Sequence, residues 1–233
     1  GGTGIRRVEC EEELERAMLA CTSEAAAAFG DGRVFVERAL TNPRHVEVQV
    51  IGDGQGSVVH LHERDCSVQR RHQKMVEVAP SPNLPETLRD KITSAAVAIA
   101  HAVEYRNVGT VEFLVSTPLT STSSFYFMEC NPRLQVEHTI TEQVTGLDLV
   151  HLQLGIAAGA TLRDVGLGAQ AHVPPPRGYA IQARLCAEQP LPDGTSLPST
   201  GTLTGWREAV GVGVRVDAGV QIGQTVSPSF DSL

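Results

Sequence analysis

The 233-residue chain has almost no lysine: of nineteen basic residues only Lys74 and Lys91 are not arginine. It has no CxxC pair. Its five cysteines (Cys10, Cys21, Cys66, Cys130 and Cys186) are scattered, which excludes a zinc ribbon and a thioredoxin-type motif. An odd, unpaired set reads as reduced thiols, so the expected compartment is cytoplasmic or the mitochondrial matrix. No stretch approaches the roughly 18 consecutive apolar residues of a membrane span, and no basic-headed apolar segment opens the chain. Positive charge is not in excess either. Twenty-seven acidic against nineteen basic residues give a net charge of −8, so neither a membrane nor nucleic acid is an expected partner. No internal repeat is visible.

What is present is globular in character, with 41% hydrophobic and 20% charged residues. The length suits one large domain or two small ones. The chain opens without Met in Gly1-Gly2-Thr3-Gly4 and closes just after Phe230-Asp231-Ser232, which reads as a piece of a longer protein. Residues 11–28 carry helical signs, closed by Gly30. Val34 to Glu37 reads as a short strand. From His45 to Val50 the residues alternate, with Val46, Val48 and Val50 on one face and His45, Glu47 and Gln49 on the other. A glycine turn and a returning strand from Ser57 to Leu61 follow. Glu63 to Val78 reads as a polar loop, and Glu86 to Glu104 as a helix with Ile92, Ala96, Ile99 and Val103 inward.

Two strands, Thr110 to Val115 and Phe125 to Cys130, flank an exposed Ser/Thr-rich loop. Helical segments run from Thr141 to Ala158. The proline-rich stretch 166–178 reads as a linker, followed by strands at Tyr179 to Leu185, Thr202 to Trp206 and Val212 to Val216. Hairpins mixed with helices predict an α+β fold with a mostly antiparallel sheet.

Three constellations carry chemistry. In the first, a hairpin register with Ser116 opposite Phe125 sets Glu112 opposite Glu129, with Phe125, Phe127 and Asn131 on the face of Glu129. Facing carboxylates repel. A divalent ion bound by Glu112, Glu129 and the Asn131 amide oxygen, Mg²⁺ or Mn²⁺, removes that conflict; one Glu solvated at a strand edge does so equally. The second is Arg64, Arg70, Arg71 and Lys74, four cations within eleven residues. They form either an anion site or a solvated charge run. Lys74 favours the former, since a lone Lys among arginines suggests that a compact ammonium is required. Cys66 lies among these cations, which could lower its pKa. The third is Asn131 through His138, where Arg133 can fork onto an oxyanion, Gln135 can donate and Glu137 can serve as a general base; an ordinary polar loop has the same composition.

These segments resemble the biotin carboxylase component of biotin-dependent carboxylases, in the ATP-grasp superfamily. The resemblance runs through nearly the whole chain and is strongest at Asn42 through Val50, Glu63 through Lys74 and Glu129 through His138. Arg184, within Gln182-Ala183-Arg184-Leu185-Cys186-Ala187-Glu188, and the closing Phe230-Asp231-Ser232 also match. The resemblance implies an ATP-grasp domain over 1–165, a linker at 166–178 and the start of the biotin carboxylase C-terminal domain over 179–233. It implies activation of bicarbonate by ATP to carboxyphosphate and transfer of the carboxyl group to N1′ of biotin.

Residue by residue, Glu112, Glu129 and Asn131 fall on the Mg²⁺/Mn²⁺ positions. Glu37, Arg38, Leu40, His45, Gln69, His72 and Leu114 fall on nucleotide-contacting ones. Lys74, Arg133, Gln135, Val136 and Glu137 fall on the bicarbonate site, with Glu137 as base, and Arg184 on the arginine that stabilises the biotin enolate. The implied partners are a biotin carboxyl carrier domain and a carboxyltransferase domain or subunit, in an oligomer.

The chain departs from the family in a shorter glycine run, in Arg38 where Lys is common, and in Cys130 where an aliphatic residue is common. The family's phosphate-binding lysines precede the glycine loop and lie outside this chain. The 233 residues alone are therefore expected to be inactive. The alternatives are another ATP-grasp ligase, such as a carbamoyl-phosphate synthetase, and an inactive fragment that binds nucleotide or serves assembly. Leu197 through Thr204 resemble acyl-CoA and pyruvate carboxylases alike, and the reading leans to the former.

Overall fold

A computed structural model describes residues 4–192, 195–227 and 233. The expectations placed on Gly1 to Thr3 and on Phe230-Asp231-Ser232 lie outside the described residues. Two compact units divide the chain, Gly1–Gln182 and Ala183–Leu233. Among the described residues no helix is long and apolar enough to cross a membrane.

The first unit is built on a six-stranded sheet of β1 (Arg44–Asp53), β2 (Val58–Arg70), β3 (Gln73–Ala79), β4 (Arg106–Val115), β5 (Phe125–Asn131) and β6 (Ala180–Ala183). The order is β5-β4-β1-β2-β3-β6, and the pairings from β5 through β3 are antiparallel. Four helices accompany it: α1 (Leu14–Phe29), α2 (Glu86–Ala102), α3 (His138–Thr145) and α4 (Leu149–Ala157). Helix α1 stops at Gly30, whose φ of 73° is left-handed, the conformation glycine adopts without a Cβ penalty.

The alternation in β1 decides the layering. Val46, Val48 and Val50 join Val111, Phe113 and Val115 of β4 in a core closed by Leu88, Ile92 and Ala96 of α2. On the opposite face, one end of the sheet is apolar. Ile51 and Val108 pack there against Leu149, Leu152 and Ile156 of α4. Between that end and the open end, α3 lies against β2 and β3. The polar residues His45, Glu47 and Gln49 are therefore buried as well, and buried polar groups must find partners. Where they find them is the candidate site.

Several local expectations are corrected. Glu63 to Val78 is a hairpin, not a loop. It turns at Arg71 and His72, whose φ values of 50° and 65° suit the two-residue turns that match strand twist. The charge of this stretch hides the pattern because both faces of β2 carry buried charged groups held in ion pairs. Glu63 pairs with Arg89, Asp65 with Arg44, and Arg64 with Glu47. Val34 to Glu37 forms no strand; with no neighbour to pair with, Phe35 stays 81% exposed.

In the second unit, β7 (Glu188–Pro190) pairs with β8 (Ser196–Pro198), and β9 (Gly201–Thr202) with β10 (Thr225–Val226). The strand expected at Thr202 to Trp206 is therefore confined to Thr202. Residues 212–216 form none, with Val212 fully exposed. The proline-rich stretch 166–178 belongs to the first unit, where Leu167 and Val173 join the core around α4.

Candidate active site

Strand register lays the site out in rows across one face of the sheet. Glu112 of β4 stands opposite Glu129 of β5 on one side and Glu47 of β1 on the other, and Glu47 stands opposite Arg64 of β2. The next row holds Asn131, Thr110 and Gln49, and the row beyond on the other side Tyr126, Leu114 and His45.

The expected facing of Glu112 and Glu129 is present, but the register that led to it is corrected. Val115, not Ser116, faces Phe125, and a bulge lies between Glu112 and Phe113. Met128 is the extra residue. An extra residue reverses the alternation, so Phe127 and Phe125 turn to the core face and stack edge-on against Phe113, while Glu129 keeps the site face.

Lys74 of β3 reaches into these rows. Its ammonium donates to Glu112 Oε1 at 2.9 Å, to Glu137 Oε1 at 2.8 Å and to Glu47. Gln135 and Asn131 each donate to Glu112 Oε1 at 2.8 Å, and Asn131 also reaches Glu129 Oε1 at 3.1 Å. His45 Nε2 lies 2.5 Å from Glu112 Oε2, and its Nδ1 is 2.7 Å from the Gln69 amide. Glu137 is brought in at the end of the loop that leads into α3.

Charge follows from this packing. Burial opposes the ammonium of Lys74, but Glu47, Glu137 and Glu112 outweigh it and raise its pKa. Burial likewise opposes ionisation of Glu112, yet the His45 hydrogen bond and the Lys74 charge bring its carboxyl down to about 2. Glu47 is held below its ordinary value by Arg64 and Lys74 against full burial. The thiol of Cys66 is corrected: burial pushes its pKa well up, and the nearby cations do not reverse that.

A depressed carboxyl contributes stability that is complete above its unfolded pKa and is lost as pH falls toward its folded one. For Glu112 the interval runs from 4.5 down to about 2, worth about 3 kcal/mol. Urea unfolding midpoints measured with chelator present should be flat from about pH 5 to 8 and fall below pH 4.5. Glu112→Gln should flatten that fall; an unchanged acid limb would contradict the assignment.

The other expected residues are distributed as follows. Leu114 is half-buried on the site face beside His45. Arg133 and Val136 are exposed in the loop before α3, and Arg133 touches Asn131 Oδ1 only at 3.5 Å. His72 sits in the exposed hairpin turn. Glu37, Arg38 and Leu40 lie in an irregular segment, from which Arg38 donates to the Tyr126 hydroxyl at 3.2 Å and lies over its ring. Arg184 belongs to the second unit.

Sequence reasoning missed Glu47 and the buried role of Arg64. The visible signal was Glu47 on the polar face of an otherwise valine-rich strand.

Hard oxygen donors from Glu112, Glu129 and Asn131 converge closely enough for one amide to bridge both carboxylates, which fits a divalent cation. The amide nitrogen faces the carboxylates here, so a cation requires its half-turn to present the oxygen. His45, Glu47 and Glu112 also bring ligand atoms within 4.8 Å of one another, but Lys74 already neutralises that group.

Residues 1–165 match the family model of the carbamoyl-phosphate synthase L chain ATP-binding domain, and residues 182–233 that of the biotin carboxylase C-terminal domain. The chain belongs to the biotin carboxylases of the ATP-grasp superfamily. It is 52% identical over its whole length to pyruvate carboxylase of Aspergillus niger, of which it covers 19%. It is 51% identical to pyruvate carboxylase of Staphylococcus aureus, of which it covers 20%.

All of the chain superposes on a biotin carboxylase of Campylobacter jejuni, with a TM-score of 0.89 and 41% identity over 49% of that chain. The values are the same for the biotin carboxylase domain of Hydrogenobacter thermophilus 2-oxoglutarate carboxylase, a structure in complex with MgADP, ADP and bicarbonate. The chain thus spans about a fifth of the length of the curated pyruvate carboxylases it matches. The second match, which contains Arg184, separates it from the carbamoyl-phosphate synthetases whose name the first carries.

Proposed function

We propose that this chain is part of a biotin-dependent carboxylase and carries most of the site at which ATP and bicarbonate form carboxyphosphate and biotin N1′ is carboxylated. The observation that supports this most is the convergence of the Lys74 ammonium and the Gln135 amide on the same carboxylate row that ends in Glu129 and Asn131. An anion-binding edge is thereby set beside a cation-binding one. In this reading Lys74, Arg133, Gln135 and the backbone at Val136 hold bicarbonate. Glu137 takes its proton, so that a bicarbonate oxygen attacks the terminal phosphorus of ATP and ADP leaves. The nucleotide lies over His45, Gln69, His72 and Leu114, with Glu37, Arg38 and Leu40 at the adenine. Glu112, Glu129 and Asn131 would hold a Mg²⁺ or Mn²⁺ ion, which would supply positive charge to offset that of the phosphates. Arg184 stabilises the biotin enolate once N1′ loses its proton.

The domain division proposed is ATP-grasp over 1–165 and the start of the C-terminal domain over 179–233, joined by 166–178. For the parent we favour a pyruvate carboxylase over an acyl-CoA enzyme, a reading supported by the names of curated relatives matched over the whole chain. A biotin carrier domain, a carboxyltransferase domain and an oligomer complete it, in the cytoplasm or mitochondrial matrix.

The test is steady-state ATP cleavage by the longer carboxylase that contains this chain. Cleavage should require bicarbonate. Glu129→Gln should abolish metal-dependent turnover, and Arg184→Ala should chiefly slow carboxyl transfer to biotin. Turnover without bicarbonate, or unchanged rates in both variants, would remove the reading.

A further inference from the structure

Arg64 is fully buried and, of the positions assigned to substrate, reaches Gln135 directly and Lys74 through Glu47. All five guanidinium donors have partners. Nε donates to Glu47 Oε1 at 2.6 Å. One terminal nitrogen donates to Gln49 Oε1 at 2.6 Å and Thr141 Oγ1 at 2.9 Å, the other to Thr110 Oγ1 and Gln135 Oε1, both at 3.3 Å. The planar fork thus ties together three strands, the loop before α3 and α3 itself.

Two consequences reach the site. Arg64 occupies the carbonyl oxygen of Gln135, which turns the amide N–H toward Glu112 and the anion edge. Arg64 also occupies one oxygen of Glu47, which leaves the other for Lys74. A lysine at this place could keep the charge but could not make five directed bonds.

We propose that Arg64 is a positioning residue for bicarbonate: through Gln135 and Glu47 it fixes which way the Gln135 amide faces and where the Lys74 ammonium sits. The bicarbonate part rests on the function proposed above; the orientation of Lys74 does not.

Kinetics on the longer carboxylase provide the first test. Arg64→Lys should raise the KM for bicarbonate tenfold or more and leave that for MgATP within twofold. Thr110→Val combined with Thr141→Val deprives the guanidinium of two partners without removing charge. It should raise the bicarbonate KM about threefold, with the MgATP value again unchanged. Full activity in Arg64→Lys, or a lower melting temperature with both KM values unmoved, would reduce Arg64 to a structural or purely electrostatic role and overturn the proposal.

The second test uses the scarcity of lysine. With ¹⁵N-lysine labelling, the 233-residue chain has two ammonium signals, from Lys74 and Lys91. Lys74 should be protected from solvent exchange, and the double threonine variant should lose at least tenfold of that protection. Equal protection in both proteins overturns the proposal. If the wild-type carboxylase cleaves ATP without bicarbonate, the proposed function fails, and ammonium protection alone decides whether Arg64 positions Lys74.

Discussion

Lys74→Met is expected to lower the melting temperature by roughly 10 °C and to abolish bicarbonate-dependent ATP cleavage. The ammonium is the shared counter-charge of Glu47, Glu112 and Glu137, all buried. Removing one partner of a buried ion cluster typically costs about 3–5 kcal/mol, because the charges left behind are uncompensated. A chain of this size loses about 2–4 °C per kcal/mol. Glu47 keeps Arg64 and Glu112 keeps His45, which holds the loss near the lower end of the cluster range. The sign of the pH dependence distinguishes this cause from lost packing. Without Lys74 the carboxylates bind protons more readily in the folded state, so the gap between variant and wild type should narrow as pH falls through 4.5. A gap independent of pH between 7 and 4 would point to packing of the lysine stem instead. Calorimetry across that range, with chelator present, decides.

Much of this cluster could be read before any coordinates, and what could not has identifiable causes. Val46, Val48 and Val50 alternate with His45, Glu47 and Gln49, and period-two alternation is a local property of the chain. The facing of Glu112 and Glu129 was legible, but through a register one residue off at the Val115–Phe125 end, which the bulge brings back into step at Glu112. The Met128 bulge was not, since one inserted residue leaves no composition signal; the phenylalanines were consequently assigned to the wrong face. Residues 63–78 looked like a loop for a related reason. A strand with acids on one face and Arg64 on the other shows no hydrophobic period, and its partners, Arg44, Arg89 and Glu47, lie 17 to 26 residues away along the chain. Val34 to Glu37 failed in the opposite sense: a β-prone run needs a neighbouring strand to pair with, and none is supplied there. Burial of Arg64 depends on α3 covering the polar face. That is a tertiary fact, so a cation that sequence alone leaves open to solvent is the one most completely removed from it.

Glu137→Gln should separate chemistry from architecture. The substitution is isosteric and leaves Lys74 two of its three carboxylates, Glu47 and Glu112, so the fold should survive with a modest loss of stability. If Glu137 removes the bicarbonate proton, kcat for bicarbonate-dependent ATP cleavage in the longer carboxylase should fall about 10²–10⁴-fold, the usual contribution of a positioned general base. The KM for MgATP should stay within twofold, because the nucleotide positions lie in the rows of His45 and Leu114 and not in the loop that delivers Glu137. The rival account gives Glu137 only the task of holding the Lys74 ammonium at 2.8 Å. On that account the amide oxygen of Gln can still accept from Lys74, and the rate should drop less than tenfold while the bicarbonate KM rises. The two readings thus predict opposite divisions between kcat and KM, and a single pair of titrations, one with bicarbonate and one with MgATP, chooses between them.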